Sequence, residues 1–287
     1  MKKIGIVANV AKASAPDVLA RFAETAARLG LRLVAEPAAA KFMPGARRVA
    51  PEKIAGEASL LMVFGGDGTM LRAIRLLGGK PVPVLGVNLG SLGFLANVAQ
   101  QDAEPAIKSV ISGRYTVYCR SLAECAVLRA GRTISRYRAL NDIVIDRGAS
   151  SRITTLDMWI EGEEVSSFMC DGIIVSTPTG STGHSLSAGG PILHPEAGDF
   201  VISLICPHTL STRPLVVPDR KKIVIRVSGS ADDMSLSVDG QVGRKLRSGD
   251  RVQIRRSRAS ARFVRLSGYS YFSVLRQKLH WRGSNLA

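Results

Sequence analysis

An aspartate stands in the middle of a glycine loop, Gly65-Gly66-Asp67-Gly68-Thr69, between the apolar run Leu60–Phe64 and a helical pattern beginning at Thr69. Glycines there let the backbone approach a phosphate, and the start of a helix offers unpaired N–H groups to it. Asp67 does not suit a loop that only binds phosphate. A carboxylate repels phosphate unless a metal ion or a reacting hydroxyl lies between them. Asp67 is therefore a general base for an attacking hydroxyl or a partner of Mg²⁺. The plainer alternative is a turn Asp capping the helix that starts at Thr69. The chain holds no GxxxxGK[ST] loop and no GxGxxG fingerprint, so any phosphate binding uses another device.

Three further segments carry chemistry-bearing residues. GVNLGSLGFL (86–95) ends a strand, and in a doubly wound sheet it faces the same crevice as the Asp67 loop. Its Phe94 either stacks on a base or anchors the loop in the core. Asn141 and Asp142, in ALNDIVID, set an amide beside a carboxylate at a strand start, where they suit ribose hydroxyls or a base edge as well as an ordinary turn. The longest segment runs from Asp171 to Pro191. A buried apolar strand enters a loop dense in glycine, Ser and Thr, including Thr179, Gly180, Ser181, Thr182, Gly183 and Ser187. Such a loop supplies short hydrogen-bonding groups without bulk, as a polar nucleotide needs. It lacks Lys and Arg, so it fits a base or ribose better than a free triphosphate.

The elements that position these residues fall into two parts. KIGIVA (3–8), LRLVAE, LLMVF (60–64) and PVPVLGVN (81–88) read as strands, with helical patterns at 15–29 and from Thr69. This alternation predicts a parallel, doubly wound α/β domain over residues 1–113. From residue 114 to 267 short alternating runs with turn signals predict a β-rich, β-sandwich-like domain. RVQIRRS and ARFVRLS are two of its strands. A final helix within 268–287 is expected to pack back on the first domain.

Composition limits the function classes. Apolar residues make up 46%, and no 18-residue apolar run occurs, so no membrane partner is expected. Gly5 and Asn9 interrupt the first apolar run, which favours a strand over a secretory leader. The four cysteines lack metal-site spacing and read as buried thiols in a reducing, cytoplasmic setting. The net charge is +16, with 12 Lys/Arg against one acid from Gln241 onward. That charge draws anionic substrates toward the surface or serves solubility alone. A specific nucleic-acid partner is not expected. Aromatics are 5% of the chain, and in 251–266 Val252, Ile254, Phe263 and Val264 read as strand-core positions between solvated arginines.

Together and in this order, these segments resemble the NAD kinase family. The matches are GGDGT, the N-x-G-x-LGF loop, the Asn–acid pair, DGIIVSTPTGST, Pro207-His208-Thr209-Leu210-Ser211 with Arg213-Pro214, and Val238-Asp239-Gly240-Gln241. The likeness spans residues 3 to about 241. GGDGT is shared with lipid kinases and phosphofructokinases. The STPTGST segment with PHTLS is far more specific, and a lipid kinase would leave it unexplained.

The resemblance implies two domains with the active site in the cleft between them, a homodimer or homotetramer, Mg²⁺ or another divalent cation, and ATP as phosphate donor. It implies that Asp67 activates the 2′-hydroxyl of the adenosine ribose of NAD. Gly65, Gly66, Gly68 and Thr69 would form the phosphate-donor loop, with Gly68 and Phe94 also against NAD. Asn141 and Asp142 would hold adenine and ribose groups. Thr179, Thr182, Gly183 and His184 would line the adenosine pocket with Ser187 nearby, and Asp171 would reach the NAD of a neighbouring subunit. Asp239 and Gln241 are further candidates. Two positions depart from the commonest pattern. His184 stands where a tyrosine is usual, and Asp142 where a longer Glu is frequent. A histidine in that place still stacks on a ring, and when protonated it favours a diphosphate.

Overall fold

The computed structural model describes residues 3–90, 93–96, 98–148, 154–209, 211–228 and 234–281. Ser91 and Leu92 of the second glycine loop, Leu210 of the PHTLS segment and the tail beyond Trp281 lie outside them. The chain divides into two compact units, one made of residues through Cys119 together with those from Arg262 onward, the other of Arg120–Ala261. Both divisions fall inside long strands, after Cys119 and after Ala261.

The first unit alternates strands and helices: β1 (Lys3–Ala8), α1 (Ala15–Arg28), β2 (Arg32–Ala35), α2 (Pro37–Ala40), β3 (Arg47–Arg48), α3 (Pro51–Glu57), β4 (Leu60–Phe64), α4 (Asp67–Leu77), β5 (Val84–Asn88), β6 (Val98–Ala99) and α5 (Ala103–Ile111). The order β3-β2-β1-β4-β5-β6 is parallel throughout. β4 and β5 are buried at every position, the sign of strands covered on both faces. Their carboxyl ends deliver the two glycine loops side by side: the Gly65 N–H donates to Val87 O at 2.8 Å.

The second unit holds most of β7 (Thr116–Arg129), β8 (Arg132–Ala139), β9 (Asp142–Asp146), β10 (Thr154–Ile160), β11 (Glu163–Cys170), β12 (Gly172–Ser176), α6 (His184–Ser187), β13 (Asp199–Ile205), β14 (Leu215–Pro218), β15 (Ile223–Val227), β16 (Ser235–Val238), β17 (Val242–Lys245) and most of β18 (Arg251–Arg265); α7 (Tyr271–Lys278) follows in the first unit. One antiparallel sheet runs β14-β13-β12-β9-β16-β17, and β11-β10-β15-β18 forms another ladder. Ile143, Ile173 and Phe200 of the former share a core with Leu156, Ile223 and Val252 of the latter, which makes the unit sandwich-like.

Two expectations need correcting. RVQIRRS and ARFVRLS form one 15-residue strand, β18, because the intervening Arg258-Ala259-Ser260 contains no Gly or Pro to turn the chain. Val252, Ile254, Phe263 and Val264 are buried in it, as the alternation predicts, together with Ser257 and Ala261. The cysteines are not all buried either: Cys119 and Cys206 are exposed, while burial pushes the thiols of Cys125 and Cys170 up to about 12 and about 11.

Candidate functional site

In the first unit the Asp67 carboxylate points away from its own helix. α4 begins at Asp67, not at Thr69, and no side chain caps it, so the capping role is excluded. Oδ1 accepts the N–H groups of Leu95 (2.9 Å) and Ala96 (3.3 Å), and Oδ2 accepts that of Phe94 (2.9 Å). A carboxylate has about four acceptor positions, so three donors fix its plane and leave room for one more. Gly93 makes this approach possible, since a Cβ there would lie 2.0 Å from Oδ1. Gly65 is held equally tightly, with a would-be Cβ 2.3 Å from the Thr69 hydroxyl. Gly68 is exposed at the mouth of this loop, and Phe94 is half-buried beside it.

In the second unit a cavity of about 340 Å³ gathers Asn141, Asp142, Asp146, His184 and Asp239, with Gly240 at its edge. Its organiser is Asp239. The turn between β16 and β17 holds this residue at φ 53°, a conformation tolerated by Asp but unfavourable for most side chains. Its carboxylate accepts the N–H groups of Leu140 (3.0 Å), Asn141 (2.7 Å) and Asp142 (3.2 Å). In return the Asp239 N–H donates to Asp142 O at 3.0 Å. Asn141 precedes the strand, so strand alternation does not send it away from Asp142, and both line the cavity. The carboxamide oxygen of Asn141 is buried and has no hydrogen-bond partner among the described residues.

The hydroxyl-rich loop serves mostly itself. The hydroxyls of Thr177 and Ser181 donate to Leu140 O (2.5 Å) and Pro178 O (2.7 Å), and Ser185 pairs with Ser203 at 3.1 Å. Thr179 accepts from Arg120 Nη1 at 3.3 Å, and Thr182 reaches back to Thr179 O at 3.4 Å. These hydrogen bonds set the loop's shape. Gly180 brings it against the strand start, since a Cβ there would lie 2.2 Å from Asn141 O.

Of the residues singled out in the sequence, the cavity brings together Asn141, Asp142, His184 and Asp239. Thr179, Thr182, Gly183, Ser187 and Gln241 belong to the same unit but are not in its wall. Asp171 is engaged in a two-point ion pair with Arg147, at 2.8 and 2.9 Å. Val144, Asp146 and Ser237 were missed as wall residues; the alternation Asp142, Val144, Asp146 along β9 was the signal that finds the first two.

Comparisons with known proteins identify the family. Residues 4–115 match the ATP-NAD kinase N-terminal domain, and residues 140–266 the ATP-NAD kinase C-terminal domain. The chain belongs to the ATP-NAD kinase family. It is 41% identical over 281 residues to the NAD kinase of Geotalea daltonii, covering 98% of this chain and 99% of that one. It is 40% identical, with the same coverage, to the NAD kinase of Geobacter sulfurreducens. The crystal structure of yeast NADH kinase complexed with NADH superposes with a TM-score of 0.91 at 28% identity, covering 100% of this chain and 90% of that one. An NAD kinase from Archaeoglobus fulgidus shares the fold, with a TM-score of 0.78 at 24% identity. As an NAD kinase the chain is a phosphotransferase that converts NAD to NADP. Among the described residues no helix is long and apolar enough to cross a membrane.

One ATP-NAD kinase residue has a measurable acid–base signature. Burial, with the Asp239 carboxylate close by, pushes the Asp142 carboxyl up to about 7. The folded state therefore keeps a proton that the unfolded chain releases near pH 4. The stability this contributes is complete below about pH 4 and is lost as the pH rises to about 7. Asp142→Asn is expected to flatten that decline. Melting temperatures of the ligand-free proteins from pH 4 to 8 check this, and parallel curves for the two proteins would refute it.

Proposed function

We propose that the chain transfers the γ-phosphoryl group of ATP to the 2′-hydroxyl of the adenosine ribose of NAD, with Asp67 as the general base. The observation that carries the proposal is the Asp67 carboxylate, fixed by three backbone N–H groups with an acceptor position to spare. The 2′-oxygen attacks the γ-phosphorus as the bond to the ADP oxygen breaks. The hydroxyl proton passes to Asp67, and ADP leaves with the bonding electron pair. Phosphoryl transfer asks a protein mainly to position and to balance charge, and a pre-oriented carboxylate does the former.

Recognition of NAD falls to the second unit. The buried Asn141 carboxamide oxygen suits an adenine amine or a ribose hydroxyl, and Asp142 beside it suits a second polar group. His184, exposed at the cavity wall, offers a ring face. Thr179, Thr182, Gly183 and Ser187 extend the adenosine site, and Phe94 is a further contact for NAD. Gly65, Gly66, Gly68 and Thr69 cradle the donor's phosphates, which approach bare backbone at glycines. Asp171 would reach NAD of a neighbouring subunit in a homodimer or homotetramer through the acceptor positions that its pair with Arg147 leaves over.

Among the described residues no three acidic, His or Cys side chains gather as a metal site. A divalent cation such as Mg²⁺ fits as part of the nucleotide, held by phosphate oxygens and water with at most Asp67 from the glycine loop. There it would neutralise phosphate charge.

The test is direct. Purified protein with ATP, Mg²⁺ and NAD is expected to form NADP. Asn141→Ala is expected to raise KM for NAD about tenfold or more with a smaller change in kcat, as loss of a binding contact does. No NADP formation by the wild-type protein would defeat the proposal.

A further inference from the structure

A larger cavity than the one around Asn141 lies elsewhere on the second unit, and no step of the reaction uses it. Its volume is about 780 Å³, and its wall includes Arg129, Tyr137, Arg244, Lys245, Arg247 and Ser248. Four of these six carry positive charge, and no carboxylate lines the cavity. One acid, Asp250, is bonded to two of them from beneath. It is 1% exposed and is consumed there: it accepts Arg129 Nε at 2.8 Å, Arg129 Nη2 at 2.7 Å and the Arg247 N–H at 2.9 Å. The cavity thus keeps a surplus of about three positive charges after that pairing.

Two of the three guanidinium groups are also held in place. Arg129 is clamped on both carboxylate oxygens of Asp250, and Arg244 Nη1 donates to Ile134 O at 2.8 Å. The strand carrying Arg244 cannot drift, because Gly243 packs so closely that a Cβ there would lie 2.0 Å from Leu236 O. Fixed guanidinium groups lose little entropy on meeting phosphate, and their planar donors match its oxygens. A concave site of this size suits a small multivalent anion rather than a flat macromolecular surface.

We propose that this basic cavity is a second anion site that binds a chain of two or more linked phosphates. Inorganic polyphosphate and the phosphate tail of a nucleotide present the same chemistry, so the test carries both. Inorganic tripolyphosphate is titrated into the full-length protein by calorimetry at fixed salt. The same titration is run on Arg244→Gln/Arg247→Gln and on Lys245→Gln/Arg247→Gln. The second variant leaves the Arg244 bond to Ile134 intact, so it reports even if the first is poorly folded. NADP formation without tripolyphosphate is expected to persist in both variants. Tripolyphosphate affinity is expected to fall about tenfold or more in both, as loss of charged donors does. Orthophosphate is expected to bind more weakly than tripolyphosphate. Competition by ATP at similar concentration assigns the site to nucleotides, and its failure assigns it to the inorganic chain. Wild-type-like tripolyphosphate binding by both variants, equal binding of orthophosphate, or no binding by the wild type would overturn the proposal.

Discussion

Asp67→Asn is expected to lower turnover by about 10²–10⁴, the range over which a positioned general base acts. The substitution keeps shape and removes charge, but it also reverses part of the hydrogen bonding. An Asn amide nitrogen placed at Oδ2 would point its protons at the Phe94 N–H, and one placed at Oδ1 would face those of Leu95 and Ala96. The loop therefore loosens as well, at a cost of about 1–3 kcal/mol for an unsatisfied buried group. The two effects separate by measurement. Loss of the base lowers kcat with little change in NAD affinity, whereas loosening of the loop lowers the melting temperature. Turnover within a few-fold of wild type would remove Asp67 from the chemistry and leave it as the anchor of residues 94–96.

Gly180→Ala is expected to weaken NAD binding by about tenfold or more while leaving Asp67 untouched. The added methyl would sit 2.2 Å from Asn141 O and 2.5 Å from its carbonyl carbon. Neither is the movable end of a side chain, so the loop and the start of β9 must part. Overpacking of this kind costs about 1–3 kcal/mol. Asn141 and Asp142 would move with the strand start. Gly198→Ala is the control, because nothing lies within 4 Å of its would-be Cβ. KM for NAD and melting temperature, measured for both variants, decide the matter. An unchanged KM in Gly180→Ala would show that the contact does not position Asn141.

The sequence carried the first unit well, because strands buried on both faces leave unbroken apolar runs such as LLMVF. The same logic failed for β18, where exposed Arg255, Arg256 and Arg258 hide a continuous strand. Two of those arginines are explained by distant partners: Arg255 meets Glu124 at 2.6 Å and Arg256 meets Asp219 at 3.2 Å. No local pattern announces such pairs. Asp67 was legible as anomalous, but its three backbone donors belong to another loop and only folding reveals them. Asp239 was visible only by resemblance. Its role, turning the backbone of residues 140–142 into a fixed surface, depends on a hairpin 98 residues away from Asn141.

The first unit is built from two stretches of chain separated by the whole of Arg120–Ala261. Phe263 pairs with Val84 beside β5, and Val264 belongs to the same core as Ile4 and Phe64. During synthesis the ribosome completes the second unit before it makes either residue. The part nearest the N-terminus therefore cannot finish folding early, as is usual, but only once its last strand has been made. Until then the nascent first unit keeps an open flank at Val84, and the glycine loops that follow β4 and β5 sit on an unfinished sheet.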